Sequence, residues 1–338
     1  MNLVTGATGL LGTRVIYDLL ERGELVRAGR RKNSDMSVVQ SVFKFYGDKD
    51  LVLYSKIKWI DLDLLDLISI QEALIDIRKV YHCAAVVSFH YSDYELMYQT
   101  NVIGTHNLVN AAIEERVDVF CHVSSTAAIG KSNQDFQTES NEWKNSNENS
   151  YYAVTKHAAE CEVWRGKEEG LKVVVVNPSI IVGPGDWNRS SVGIFKTIYN
   201  GLKYYTNGGN AYVDVRDVSE IMLSLVEKQI YGERFLCVGE NISFKSLFDL
   251  IADTFGVREP YILAKQWQAN LVWRIEEFKY KIFRKKPVIT KETARSANTV
   301  TKFTNQKIVN EIGYEFTPIK ESVQYTCDYL SNFTSIRT

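Results

Sequence analysis

Tyr152 and Lys156 lie in a stretch, Tyr-Ala-Val-Thr-Lys, that reads as helical, and their i, i+4 spacing sets both side chains on one face. A phenol with a pKa of about 10 is a poor acid–base group at neutral pH. An ammonium beside it favours the phenolate and lowers that pKa toward the working range, and the same lysine can hold ribose hydroxyls. The neighbouring Tyr151 has Thr155 as its i+4 partner, which supplies no charge. Such a spacing arises by chance in many helices. Its weight here comes from a glycine turn far upstream and a Ser-rich strand end between the two.

That turn is Thr5-Gly6-Ala7-Thr8-Gly9-Leu10-Leu11-Gly12, directly after an apolar strand. Glycines at this spacing let the backbone turn tightly and approach a pyrophosphate. A helix starting near Leu10 adds free N–H groups and a positive dipole end. The expectation is dinucleotide binding by Thr5, Gly6, Thr8, Gly9, Leu10, Leu11 and Gly12.

The second strand ends Ala28-Gly29-Arg30-Arg31-Lys32, with three cations and no acid. A guanidinium takes a 2′-phosphate bidentately, whereas an acid there would bind ribose hydroxyls. This predicts NADP(H) over NAD(H), with Arg30 as the main contact and Arg31 or Lys32 assisting; the alternative is a solvated basic turn. After the third strand, Asp63 is a candidate acceptor for the adenine amino group and Leu64 a candidate for packing on its ring. A helix N-cap is the competing role for this segment, and Asp66 is placed to fill it.

The elements that must position these groups follow from patterning. Short β-branched runs at Asn2–Thr5, 24–29, 57–61, 79–83, 118–124 and 171–177 alternate with helical patterns near 10–22, 69–77, 94–116 and 150–169. This is an α/β chain with a Rossmann-type, doubly wound parallel sheet. After Pro178 helices dominate, at about 216–229, 244–256, 265–285, 305–312 and 319–332. The division predicted is a dinucleotide-binding domain over 1–177, with shared segments later, and a smaller, mainly helical substrate region over 178–338. Residues 131–149, rich in Asn, Ser, Gln and Glu, read as a surface loop.

Composition sets the outer bounds. The 338 residues suit one large domain or two closely joined ones, and 45% hydrophobic with 24% charged residues is globular. Forty Lys and Arg against 41 Asp and Glu argue against a nucleic-acid partner. Apolar runs are too short for a membrane span, and the N-terminus opens into a strand without a signal pattern. The five cysteines form no CxxC and the five histidines no metal-ligand pair, which predicts a reduced, cytoplasmic protein with no bound metal.

Across most of its length the chain resembles the extended short-chain dehydrogenase/reductases, the NAD-dependent epimerase/dehydratase family. The matching pieces are TGATGLLG at 5–12, DLLD at 63–66, HCAA at 82–85, TNVIGT around Asn101, VSSTAAIG at 123–130, YAVTK at 152–156, NPSIIVGPGD at 177–186 and YVDVRDV at 212–218. The resemblance implies Ser125 as the third catalytic group with Tyr152 and Lys156, with Ser124 and Thr126 as its competitors. It places Ala84 and Ala85 along the cofactor, adds Asn101 to the cofactor site, and sets Pro178 and Ser179 beside the nicotinamide. It also implies a possible homodimer through the 94–116 and 150–169 helices.

Within the family, dehydratases place an Asp-Glu pair after the catalytic hydroxyl residue, whereas Ser125 precedes Thr126-Ala127-Ala128. The segments 138–143 and 183–188 resemble the dihydroflavonol-reductase branch, to which 3β-hydroxysteroid dehydrogenases are related. Gly130 stands where plant flavonoid reductases carry a substrate-contacting Asn, which argues against a flavonoid. The reading is an NADP(H)-dependent reductase of a ketone or aldehyde. The alternatives are a nucleotide-sugar epimerase with tightly bound NAD(P) and a non-catalytic NAD(P)-binding sensor.

Phe89, His90, Trp187, Asn188, Tyr204 and Tyr205 are candidate pocket residues for a moderately apolar substrate. Over 266–286, Trp267, Leu271, Ile275, Phe278 and Ile282 recur at helical spacing, with Lys279, Lys281, Arg284, Lys285 and Lys286 near the end. A membrane-surface helix and a helix packed on the domain both fit; the balanced charge of the chain favours packing.

Overall fold

The computed structural model describes residues 1–189, 191–284, 287 and 289–333. The N-terminal part alternates strands and helices: β1 (Asn2–Thr5), α1 (Leu10–Glu21), β2 (Val26–Arg30), α2 (Ser37–Tyr46), α3 (Val52–Ser55), β3 (Lys58–Asp61), α4 (Leu67–Leu74) and β4 (Lys79–His82). Next come α5 (Tyr94–Met97), a π-helical segment (Tyr98–Ile103), α6 (Gly104–Glu114), β5 (Val119–Val123), α7 (Tyr151–Glu168) and β6 (Lys172–Pro178). The remainder is β7 (Ile180–Val182), α8 (Val192–Tyr199), β8 (Tyr204–Tyr205), β9 (Gly209–Asp214), α9 (Val215–Glu227), β10 (Glu233–Cys237) and β11 (Glu240–Ser243). It closes with α10 (Phe244–Phe255), β12 (Ile262–Leu263), α11 (Gln266–Phe283), α12 (Lys291–Ser296), α13 (Gln306–Ile312) and α14 (Ile319–Phe333).

The main sheet is parallel and runs β10-β6-β5-β4-β1-β2-β3. The strand order reverses beside β1, so the crevice for a ligand opens at the ends of β1 and β4. Val173 and Val175 of β6 enter the core under α4, α6 and α7, while Val174 and Val176 enter the opposite core under α1 and α9. A strand buried on both faces reads as an unbroken apolar run for this reason. Two smaller sheets, β11-β9-β7 and β12-β8, belong to the C-terminal part. A further core there gathers Phe195, Ile198, Leu247, Ile251 and Val323.

Local chemistry explains the helix starts. Ser150 accepts from Ala153 N at the head of α7, and Asp214 and Ser243 cap α9 and α10 in the same way. Asp66 caps α4 through Ile68 N, the role foreseen for it.

The structure departs from the sequence expectations in three places. First, the 178–243 stretch, where the only element expected was the helix at 216–229, also holds β7, β9, β10 and β11, and β10 returns to complete the main sheet beside β6. Second, the predicted 94–116 helix is broken by the π-helical segment, which shifts the face presented by Asn101. Third, α11 does not bury its apolar side: Trp267, Leu271, Ile275, Phe278 and Ile282 are all exposed. α11 is held to its neighbours by Gln266 at Ala294 and Asn298, by the buried Ala269, and by Glu277 and Tyr280 at His90, so the packed-helix reading fails for the apolar stripe. Lys285 and Lys286, counted among its cations, lie outside the described residues. No helix among the described residues is long and apolar enough to cross a membrane.

Candidate active site

The glycine turn joins β1 to α1. Gly6 has φ +64°, and a Cβ there would meet Ala84 N at 2.7 Å. A Cβ on Gly12 would meet Gly6 O at 2.2 Å, so only glycine lets the turn close against the helix start. Gly9 precedes α1 in an extended conformation with no side-chain cap, and Thr13 N donates to Gly9 O at the helix start. The N–H groups of Leu10, Leu11 and Gly12 therefore have no helical acceptor and offer a cradle for an anion. Leu11 is in the core, while Leu10 packs near Gly183 and Gly185, which ties the later GPGD loop to this turn.

A buried polar chain secures the floor. Ala84 N donates to Thr5 Oγ1, which lies 2.7 Å from His82 Nδ1; His82 Nε2 lies 2.9 Å from Thr105 Oγ1, which donates to Asn101 O. Because Thr105 donates onward, the ring carries its proton on Nε2. Burial lowers the His82 pKa to about 3, and the rear neighbour His122 is also pushed far down by burial, with Lys156 adding to both shifts. Asn101 accepts from Val86 N and donates to Val86 O and Thr155 Oγ1. Its amide is thus engaged in holding the loop after β4, where Ala84 and Ala85 sit.

At the outer edge, Arg30 ends β2 with Nε 3.4 Å from Asp61 Oδ1 and its guanidinium 6.0 Å from the Trp59 ring. Nε is buried without a hydrogen-bond partner among the described residues, while Arg31 and Lys32 are exposed. Asp63 Oδ1 accepts from Leu65 N in a local turn, and its side chain is exposed. Leu64 is buried in the core against Gly104.

The structure brings Ser125, Tyr152 and Lys156 together. Ser125 follows β5, and its Oγ accepts from Ala127 N, with the hydroxyl close enough to the Tyr152 phenol to act on its pKa. Burial raises the phenol above its ordinary value, and the nearby Ser125 hydroxyl partly offsets this. Lys156 is buried and donates to Val123 O at 2.7 Å. Burial lowers its pKa to about 8, with Glu160 opposing. The expected lowering of the phenol is not seen, since the ammonium is turned to the Val123 carbonyl. Pro178 ends β6 opposite Cys237, and Ser179 donates to Cys237 O, which holds this wall to β10.

Phe89 stands edge-on to Tyr152 at 6.0 Å between ring centres. With His90, Tyr91, Tyr151, Glu277 and Glu292 it lines a cavity of about 390 Å³. Of the other pocket candidates, Trp187 packs on Tyr199, Asn188 accepts from Lys196, Tyr204 is exposed on β8 and Tyr205 lies near Lys245. None of these four lines that cavity. Ser125, Tyr152 and Lys156 line neither this cavity, which reaches Tyr152 through Phe89, nor a wider groove of about 560 Å³ lined by Glu139, Trp164, Arg234 and Lys307.

Sequence reasoning missed Glu160. Its buried carboxylate accepts from Ser124 Oγ at 2.6 Å, Asn177 Nδ2 at 2.9 Å, Trp164 Nε1 at 3.2 Å and Arg234 Nη1 at 3.2 Å. Asn177 also donates to Ser125 O. The signal available was spacing: Glu160 lies four residues beyond Lys156 on the same helix face.

The sequence model of the NAD dependent epimerase/dehydratase family matches residues 2–237. Sterol demethylase protein B of Methylococcus capsulatus is 34% identical over 264 residues, covering 76% of this chain and 75% of that protein. Cinnamoyl-CoA reductase 1 of Petunia hybrida is 30% identical over 334 residues, covering 96% and 90%. Among solved structures, gox2253 superposes with a TM-score of 0.80 at 29% identity over 99% of both chains. With its seven-stranded sheet, its glycine turn and these relatives, the chain belongs to the NAD dependent epimerase/dehydratase family, the extended short-chain dehydrogenase/reductases.

Proposed function

We propose that this protein is an NADP(H)-dependent reductase that converts a ketone or aldehyde to an alcohol through Ser125, Tyr152 and Lys156. The observation that carries the reading is the buried Lys156 one helical turn from Tyr152, with the Phe89 ring against Tyr152 and Ser125 beside the phenol. The residues suit a dinucleotide: Gly6 and Gly12 leave no room for a Cβ, and the first turn of α1 lacks a cap. Thr5, Gly6, Thr8, Gly9, Leu10, Leu11 and Gly12 would hold the pyrophosphate. Arg30, aided by Arg31, would take the 2′-phosphate; its Nε faces Asp61 without a hydrogen bond, and the lack of a hydrogen-bonded partner there supports this. Asp63 and Leu64 would meet the adenine, while Ala84, Ala85, Pro178 and Ser179 would flank the cofactor and Asn101 would steady that loop.

When bound, the dinucleotide supplies hydride to a carbonyl carbon. Ser125 and Tyr152 hold the carbonyl oxygen, and Tyr152 gives it a proton. Lys156 grips the ribose and favours the phenolate that remains. In this reading residues 1–177, with α9 and β10, form the cofactor side and the rest of 178–338 the substrate side. The names of the sterol and cinnamoyl-CoA relatives, together with Phe89 and the aromatic cavity wall, support a substrate with a large apolar part. Leu96, Tyr98 and Val154 are exposed on the α5–α7 side, which supports a homodimer there. Five free cysteines support a reducing, cytoplasmic setting.

Titration with NADPH and NADH, followed by a panel of aldehydes, ketones and nucleotide sugars, tests the proposal. Tyr152→Phe is expected to abolish carbonyl reduction while NADPH binding stays nearly intact. Retained turnover in that variant, or sugar epimerisation with NADH preferred, overturns it.

A further inference from the structure

The outward face of α11 has no function in the reaction above. At about 100° per residue, Trp267, Leu271, Ile275, Phe278 and Ile282 fall within an arc of about 80°. Their exposures run from 46% to 65%. Arg274 and Lys281 lie within about 40° of one edge of this stripe and Lys279 within about 40° of the other. The acids of the helix are turned away: Glu277 lies 3.7 Å from His90 Nε2, and Glu276 pairs with Lys279 at 3.0 Å. The opposite face sits on the cavity wall, where Tyr280 packs on His90 at 4.5 Å.

We propose that α11 is an in-plane docking helix for an anionic phospholipid surface. The stripe enters the boundary between headgroups and acyl chains, and the flanking cations meet the lipid phosphates. The charge arrangement selects this occupant over a second copy of the chain. A symmetric contact through the stripe would set Arg274, Lys279 and Lys281 of one copy against the same cations of the other. Five large apolar side chains on one exposed helix face, rimmed by one sign of charge, match a bilayer surface. Because the inner face of α11 borders the cavity beside Phe89 and Tyr152, docking brings that cavity to the lipid boundary. Delivery of an apolar substrate from the bilayer rests on the proposed reaction; surface binding does not.

Co-sedimentation of the full chain with phosphatidylcholine vesicles, with and without phosphatidylglycerol, tests this. The expected result is binding to the mixed vesicles that weakens on neutral vesicles and in high salt. Phe278→Ser removes one large inserted side chain and is expected to weaken binding about tenfold. Lys281→Gln removes one rim charge and is expected to weaken it roughly fivefold. Both positions are exposed, so thermal midpoints should match the parent. Tyr152→Phe should bind vesicles like the parent, which separates this proposal from the fate of the reductase reading. Three results overturn it: a chain that stays in the supernatant with both lipids, a Phe278→Ser variant that binds unchanged, or one whose mass in lipid-free solution falls.

Discussion

Removing the Glu160 carboxylate should destabilise the fold and disturb the site together. The side chain is 2% exposed and receives four donors, two on each oxygen: Ser124 and Asn177 on Oε2, Trp164 and Arg234 on Oε1. Glu160→Ala strands Ser124 and Asn177 and leaves Arg234 without its counter-ion. Breaking a buried pair on one side costs about 3–5 kcal/mol. Glu160→Gln keeps one acceptor oxygen but turns an amide NH2 toward the Ser124 and Asn177 donors, which costs about 1–3 kcal/mol. Urea unfolding at neutral pH, followed by tryptophan fluorescence, reads both values. Changing Glu160 and Arg234 together to methionine should cost less than the sum of the single changes, since no unpaired charge remains. The site responds through Lys156. Glu160 raises its pKa against the lowering by burial, so without the carboxylate that pKa drops below about 8. Activity that needs the ammonium is lost as pH rises through this value, so its alkaline limb should move to lower pH in Glu160→Gln. A loss of less than about 1 kcal/mol in Glu160→Ala, with an unmoved alkaline limb, would refute the reasoning.

Arg30→Ala should weaken NADPH binding about 10- to 100-fold and leave NADH unchanged, because a charged bond to the 2′-phosphate is worth about 1.5–3 kcal/mol. Calorimetric titration of both nucleotides checks this, and an equal loss for both would count against the assignment. Gly12→Ala should sharply reduce binding of either nucleotide, since its Cβ would lie 2.2 Å from Gly6 O. An alanine variant with parental affinity would show that the turn is looser than described. The buried histidines predict acid sensitivity. His82 titrates near 3 in the fold and His122 well below its ordinary value, while both titrate near 6.5 when unfolded. The unfolded chain binds the extra protons, so stability is full above that unfolded value and falls as pH drops from there toward about 3. The slope is about 1.4 kcal/mol per pH unit for each histidine, and urea midpoints that stay flat across this window would exclude the effect.

The glycine turn at 5–12, the Tyr152–Lys156 spacing and the alternation of strands with helices were legible in the sequence because each is local. A tight turn needs glycine wherever it occurs, two side chains four apart on a helix share a face, and a parallel strand buried on both sides must be apolar throughout. Ser125 and the order of motifs came from resemblance, which carries roles but no distances. Tertiary structure alone decided the rest. β10 lies 55 residues or more beyond β6, yet pairs with it and delivers Arg234 to Glu160. The π-helical segment turns Asn101 onto Val86, and packing selects Phe89 and His90 over Trp187 and Tyr204 at the cavity. In α11, periodicity marked an apolar stripe but could not say which way it faces. Inward orientation of a helix depends on what its neighbours offer, and here His90 and the cavity wall take Glu277 and Tyr280, leaving Trp267 to Ile282 facing water.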